Sequence, residues 1–406
     1  MQTTTRTHGL DQARLERIGE HLMTRYVEHG KVAGCQALVA RHGEVAYSRS
    51  FGLADRERGT PVRDDTIWRI YSMTKPITSV ALMTLYERGL FQLTDPVHRF
   101  VPEWRGLRVC ELDGTGGDRL VEPDRPPTIR DVLTHTSGLS YGFDPEDPVD
   151  RRYAAAALTA DVRSQLTLEG LARRLGDLPL RFHPGSRWRY SFATDVCARL
   201  VEIISGRVFG DYLQETIFDP LGMPDTGFVV PEASRDRFAA NYYRAEDRTL
   251  VLFDDPAASP YLQARPMQSG GGGLVSTTPD YLRFLEMLRR GGELDGARIL
   301  GRNTIRFMAS NHLPGGASLA SMALGTLGTE PYAGIGFGLG FAITLDPVEL
   351  QTIASPGDYY WGGAAATLFW IDPVEDMIVI FMVQHMQSPY NFRGQLQQLV
   401  HQAVVS

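Results

Sequence analysis

The sequence predicts an α/β lobe assembled from both ends of the chain, residues 1–71 and 266–406, with a mainly helical lobe, residues 72–265, inserted between them. Three observations lead there. At 406 residues the chain exceeds the size at which one core usually keeps growing. Strand-like apolar runs gather near both ends, at Cys35 to Ser50 and again after Ser269. Between about residues 91 and 265 they give way to short helical patterns and loops rich in proline and charge, such as Glu122-Pro123-Asp124-Arg125-Pro126-Pro127. The simplest arrangement lets the terminal segments share one helix-flanked sheet, with an active site between the lobes.

Composition narrows the function. Hydrophobic content of 43% and charged content of 22% are those of an ordinary globular protein. A formal net charge of −7 argues against a nucleic-acid binder, which carries a basic footprint. The first residues lack an apolar signal-peptide core, and no apolar run approaches a membrane span. Cys35, Cys110 and Cys197 are odd in number and far apart, which predicts free thiols in the cytoplasm instead of a disulfide frame or a metal site.

In chain order, Leu15, Ile18, Leu22 and Tyr26 step by three and four, an amphipathic helix that stops at Gly30. Cys35–Ala40 and Val45–Ser50 read as strands joined by the turn Arg41-His42-Gly43-Glu44. Pro76 must fall in the first turn of a helix, where its missing N–H costs little. That helix begins near Ser72 to Lys75 and runs to Gly89, with Leu90 placed as in a Schellman stop. Thr128-x-x-Asp131 opens a short helix ending at Ser137-Gly138. Further helices are predicted within Ala154–Leu175 and over Ala193–Ile204, the latter ending at Gly206. Gly270 to Gly273 lead into a strand, Thr277-Thr278-Pro279 starts a helix over Asp280–Arg290, and Tyr332–Leu345 is glycine-rich and then strand-like. Trp361–Ile371 and Met377–Val383 read as strands, and Leu396, Leu399, Val400 and Val404 as the closing helix.

The stretch Ser72-Met73-Thr74-Lys75 carries the chemistry. Positions i and i+3 share a helix face, so the Ser72 hydroxyl and the Lys75 amine can meet. A serine hydroxyl is a poor nucleophile until a nearby base takes its proton. Only two of the 41 basic residues are lysines, Lys31 and Lys75. Arginine cannot act as that base, whereas a desolvated lysine can. A lysine meets a serine at this offset by chance roughly 6% of the time, so the pattern needs company.

Company comes from Tyr190-Ser191 and Trp361-Gly362-Gly363. Leu133-Thr134-His135-Thr136-Ser137-Gly138-Leu139, His183-Pro184-Gly185 and the run Ser269 to Thr277 add to it. In order and spacing, from about residue 12 to 400, these motifs resemble the serine β-lactamase and penicillin-binding-protein superfamily. The similarity is greatest to its class C-like branch, especially the family VIII carboxylesterases. The resemblance implies a β-lactamase/D,D-peptidase-like fold with an antiparallel sheet. It implies Ser72 as the acyl-accepting nucleophile, Lys75 as its proton relay and Tyr190 as the second member of the base pair. It implies an oxyanion hole from the backbone N–H groups of Ser72 and Ala364, with Trp361, Gly362 and Gly363 on the substrate-facing strand. No cofactor or metal is called for, and the partner is a small-molecule ester.

Departures from the pattern bear on substrate. Trp361-Gly362-Gly363 stands where β-lactamases carry Lys-Thr-Gly, and no lysine follows Lys75, so the usual cation for a substrate carboxylate is absent unless an arginine replaces it. The lactamase Tyr-x-Asn is here Tyr190-Ser191-Phe192, without the amide that holds an acylamino side chain. Both losses predict a carboxylesterase for neutral, apolar esters, with weak or absent β-lactam hydrolysis. The same fold hosts acyltransferases, D-amino-acid amidases and peptidases; the intact Ser72, Lys75, Tyr190 set argues against a non-catalytic penicillin-recognising module.

Blander readings compete at several positions. His135 reads as a structural group at a helix end, not as the base of a Ser-His pair. Gly138-Leu139-Ser140-Tyr141-Gly142 matches a nucleophile elbow but lacks the preceding strand and following helix that the elbow needs. Gly336-Phe337-Gly338-Leu339-Gly340 misses dinucleotide spacing and precedes a strand. Gly270 to Gly273 read as close backbone packing instead of a phosphate cradle. Tyr190 could be core, and Trp361 divides evenly between substrate wall and packing.

Overall fold

The computed structural model describes residues 6–112, 118–156, 165–324 and 332–406. Strands β1 (Gly34–Arg41) and β2 (Glu44–Asp55) form a hairpin. Its two turn residues, His42 and Gly43, both have positive φ (56° and 82°), the geometry that follows the right-handed twist of paired strands. A short β3 (Thr60–Pro61) flanks β2. The far end of the chain supplies β4 (Ile335–Phe337), β5 (Ala342–Thr344), β6 (Tyr359–Gly362), β7 (Leu368–Asp372) and β8 (Met377–Val383). The sheet order is β4-β5-β6-β7-β8-β1-β2-β3, and neighbours run antiparallel throughout.

Helices cover both faces, which is why β1, β7 and β8 are buried at every residue and read as continuous apolar runs. Alternation along the strands identifies the two faces. Phe369 on β7 meets Tyr281 of helix α4 (Thr278–Arg289), with ring centroids 5.4 Å apart. Phe381 on β8, which pairs with the neighbouring Leu368, points the other way and meets Phe392 of α5 (Phe392–His401) at 5.0 Å. Helix α1 (Gln12–Leu22), N-capped by Asp11, packs against α5 and β2 and continues as one π turn to Val27.

Helix α2 (Thr74–Glu87) packs against α3 (Ala193–Ser205) and is buried at every position from Thr74 to Leu85. A helix buried on every side belongs in a core, and its polar members Thr74, Lys75 and Thr78 make hydrogen bonds there. It ends as its sequence predicts: Gly89 has φ 71°, the Leu90 N–H donates to Leu85 O, and the Gly89 N–H donates to Tyr86 O. Ser72 lies just ahead of α2, on a 3-10 turn over Tyr71–Met73.

Four expectations need correction. The middle of the chain is less purely helical than its composition suggests. It carries a hairpin, Val109–Leu112 with Asp118–Val121, and the pair Asn241–Arg244 with Leu250–Asp254, joined by His385–Met386 from the far end. The capping box at Thr128 and Asp131 forms, but its helix ends at Leu133 and not at Ser137-Gly138, because His135 turns to φ 57°. Trp361–Ile371 is not one strand but the hairpin β6–β7, reversed where Ala366 takes φ 66° and the Gly363 N–H donates to Thr367 O at 2.7 Å. The strand after Gly273 is only Val275–Ser276, paired with Trp68–Arg69. The helical reading of Ala154–Leu175 meets helices at Pro148–Ala155 and Leu168–Gly176; residues 157–164 lie outside the described residues. Among the described residues no helix is long and apolar enough to cross a membrane.

Candidate active site

The segment that carries Ser72 is tied down on every side. Arg69 is fully buried and donates to Asp254 Oδ2 (2.7 Å), Ala239 O (2.6 Å) and Ser259 Oγ (3.0 Å). Gln384 Nε2 donates to Arg69 O, and the Ile70 N–H to Leu274 O. Tyr71 takes φ 43°, a costly conformation for a bulky side chain, and its hydroxyl accepts from Asn241 Nδ2 at 2.8 Å. From the other side Tyr281 Oη donates to Met73 O at 2.9 Å. Such over-determination fixes where the Ser72 hydroxyl points.

Lys75 Nζ lies 3.1 Å from Ser72 Oγ and donates to Gly271 O at 2.6 Å. Its side chain is 2% exposed, and two aromatic faces wall it in. The Tyr190 ring centroid is 4.4 Å from Nζ and that of Tyr141 is 5.6 Å away. Tyr190 is in turn boxed by His135, Tyr141 and Trp361, with centroid separations of 4.9, 5.3 and 5.4 Å. The Trp361 indole N–H donates to Tyr190 Oη at 3.4 Å. The structure thus brings Ser72, Lys75, Tyr190 and Trp361 together from residues almost 300 positions apart.

The end of β6 closes the site. A Cβ on Gly363 would stand 2.6 Å from Ile70 O, so only glycine lets this strand approach the Ser72 segment so closely. Ala364, exposed, follows at the turn. Ser72, Gly362, Gly363 and Ala364 all line one cavity of about 1060 Å³. Its walls are largely apolar and include Phe143, Phe228, Phe253, Tyr261 and Met267. Positive charge is not missing from it. Arg265 lies exposed on the lining, and Arg393 stacks 3.5 Å over the Tyr360 ring and donates to Trp361 O at 3.4 Å.

The rival residues have other employment. Ser140 is buried; its hydroxyl donates to Asp150 Oδ1 and accepts from Arg189 Nε at 3.0 Å, inside an Arg189–Asp150 ion pair. His135 is buried with Nδ1 3.2 Å from Ser191 Oγ, and burial, reinforced by Lys75, keeps its imidazole well below its usual range and neutral. Gly338 and Gly340 lie where a Cβ would meet Met308 O at 2.2 Å and Ser79 Oγ at 2.3 Å, which accounts for that glycine run by packing. Gly270 and Gly271 likewise press on α2 and α3, and Gly270 O accepts from Thr78 Oγ1 at 2.8 Å, while Gly272 and Gly273 pack on Tyr71 and Phe228. Among the described residues no group of three or more His, Cys, Asp or Glu side chains could hold a metal ion.

Sequence reasoning passed over three participants. Tyr141 was hidden by its neighbour Ser140 in the elbow-like motif. Gly271 contributes only its carbonyl, which any residue type has. Asp195, whose Oδ1 accepts from the Gly271 N–H at 3.1 Å, is an acidic residue in the first turn of α3, an ordinary place for one.

Residues 20–402 match the Beta-lactamase family. The chain belongs to that family. Among its relatives, Protein Rv1367c of Mycobacterium tuberculosis is 35% identical over 361 residues, 88% of this chain and 86% of that one. Esterase EstB of Burkholderia gladioli is 32% identical over 390 residues, 92% and 91% of the two chains. Among solved structures, EstCE1, a hydrolase with promiscuous acyltransferase activity, superposes with a TM-score of 0.78 at 28% identity, covering 97% of this chain and 99% of that one. The β-lactamase fold is thus shared along the whole chain with esterase relatives, and the sequence-based identification of family and fold holds.

Proposed function

We propose that the protein is a serine carboxylesterase for short to medium acyl esters. One observation carries the reading: the Ser72 hydroxyl lies 3.1 Å from a buried lysine amine at the base of a large, mainly apolar cavity. Ser72 Oγ attacks the ester carbonyl carbon while its proton passes to the Lys75–Tyr190 pair. Negative charge gathers on the carbonyl oxygen, which the N–H groups of Ser72 and Ala364 receive. The C–O bond of the ester breaks, the alcohol leaves with the proton from Tyr190, and an acyl-Ser72 remains. Water then attacks that acyl group with Tyr190 taking its proton, releasing the acid and restoring Ser72.

The substrate is a small-molecule ester held at the seam between an α/β lobe (1–71 and 266–406) and a helical lobe (72–265). Trp361 favours apolar acyl groups, and with Phe192 in place of an asparagine two residues after Tyr190, β-lactam hydrolysis is weak or absent. Three buried free thiols suit a cytoplasmic setting. Acyl transfer to an alcohol is a second reading, favoured by a cavity roomy enough for donor and acceptor and by the activity of EstCE1.

The test is intact-mass detection of a covalent adduct after a fluorophosphonate or p-nitrophenyl ester, in wild type, Ser72→Ala and Ser140→Ala. Adduct is expected in wild type and Ser140→Ala only. An adduct that persists in Ser72→Ala and vanishes in Ser140→Ala refutes the assignment. Adding competing alcohols to the turnover assay separates transfer from hydrolysis.

A further inference from the structure

Asp195 stands in the first turn of α3 and is 1% exposed. Its Oδ1 accepts two hydrogen bonds, from Ser269 Oγ at 2.6 Å and from the Gly271 N–H at 3.1 Å. The carbonyl of the same glycine accepts from Lys75 Nζ at 2.6 Å, and Lys75 Nζ reaches Ser72 Oγ. Three contacts in series, with the Gly271 peptide units between the first two, therefore connect a buried carboxylate to the Ser72 hydroxyl. Glycine at 271 permits the approach, because a Cβ there would stand 2.6 Å from Asp195 Oδ2.

The glycine loop has other anchors, but they hold its ends. Gly270 O accepts from Thr78 Oγ1, and the Leu274 N–H donates to Thr74 Oγ1 at 3.2 Å, both on α2. Gly271 itself is gripped by Asp195. An amine nitrogen on a tetrahedral rotor has three positions for protons or a lone pair. Committing one of them to a fixed carbonyl at 2.6 Å defines the direction of the other two, one of which faces Ser72 Oγ. Releasing that carbonyl leaves Lys75 in contact with Ser72 but unaimed.

We infer that Asp195 is a positioning residue for acyl transfer, which sets the orientation of the Lys75 amine through the Gly271 carbonyl. This rests on the esterase reading of Ser72 and Lys75. Misalignment of a proton relay by a fraction of an ångström depresses the chemical step and leaves substrate binding alone.

The experiment measures kcat and KM for p-nitrophenyl butyrate, and the rate of fluorophosphonate labelling, on the full chain. Asp195→Ala is expected to lower kcat and labelling about 10- to 100-fold with KM within about two-fold. Asp195→Asn retains an oxygen that accepts from Ser269 and Gly271, and returns kcat to within about three-fold of wild type. Ser269→Ala, at a partly exposed site, is expected to lower kcat about 3- to 10-fold without moving KM, and decides the matter if Asp195→Ala does not fold. Wild-type kcat in folded Asp195→Ala or in Ser269→Ala overturns the inference, as does an Asp195→Asn no better than Asp195→Ala. Ser72→Ala, run alongside, isolates the underlying reading: turnover surviving there defeats the esterase assignment itself.

Discussion

Gly363→Ala tests the architecture of the site with the smallest change available. The added Cβ would stand 2.6 Å from Ile70 O and 2.2 Å from Thr367 Oγ1. The hydroxyl can rotate away, but the carbonyl cannot, since it also accepts the Met73 N–H that closes the turn carrying Ser72. Relief to an ordinary contact of 3.4 Å requires about 0.8 Å of movement between β6 and the Ser72 segment. The Ala364 N–H and the Ser72 N–H sit on opposite sides of that gap, so the proposed oxyanion hole widens with it. A displacement near 1 Å in a reacting geometry costs on the order of 100-fold in rate. The assay is kcat/KM for p-nitrophenyl butyrate, with Gly106→Ala, where nothing lies within 4 Å, as the control. Turnover above half of the wild-type value in folded Gly363→Ala would show that the β6 end does not bear on catalysis.

Two other perturbations probe the tyrosine box and the sheet. Trp361→Phe keeps an aromatic wall and removes the N–H that reaches Tyr190 Oη at 3.4 Å. A long hydrogen bond of about 1 kcal/mol predicts a kcat loss of about five-fold with little change in KM; a raised KM at unchanged kcat would make Trp361 a wall and nothing more. Asp358, immediately before β6, is fully buried, and desolvation pushes its carboxyl up to about 7 against Thr344 and Arg393, which pull it down. Folded chain therefore holds more protons than unfolded chain between about pH 4 and 7, and stability falls as pH rises through that window. Asp358→Asn is expected to flatten this slope and to gain up to about 4 kcal/mol at pH 8. Urea unfolding at pH 5 and pH 8 reads it, and equal slopes in the two proteins would contradict the assignment. Asp280, raised by burial to about 6, contributes a residual slope of the same sign in both.

Local rules made part of this structure legible in the sequence. The hairpin turn at His42-Gly43, the Pro76 start and Gly89 stop of α2, and the Thr128–Asp131 capping box each depend on a few adjacent residues, and each forms. The β6–β7 turn was illegible because Gly363-Ala364-Ala365-Ala366 lacks the usual Asn, Asp or Pro. The left-handed Ala366 closes a turn whose Gly363 lies against Ile70, a segment distant in sequence that no local rule could reveal. The small sheet of 241–254 with 385–386 is likewise non-local. In the site, side chains with distinctive chemistry announced themselves, whereas the Gly271 carbonyl and Asp195 could be found only once the chain was folded.

The near-absence of lysine has a practical side. Of the two lysine amines in the sequence, Lys75 is sealed beneath Tyr190 and Tyr141, and Lys31 lies half-buried beside the Tyr26 and Tyr390 rings. Side-chain amine reagents therefore meet a surface dressed almost wholly in guanidinium groups, which they ignore. Among side chains, coupling would therefore be confined to Lys31, beside Tyr390 of the cavity lining, so a dye attached there would sit close to the substrate's space while the buried amine stays out of reach.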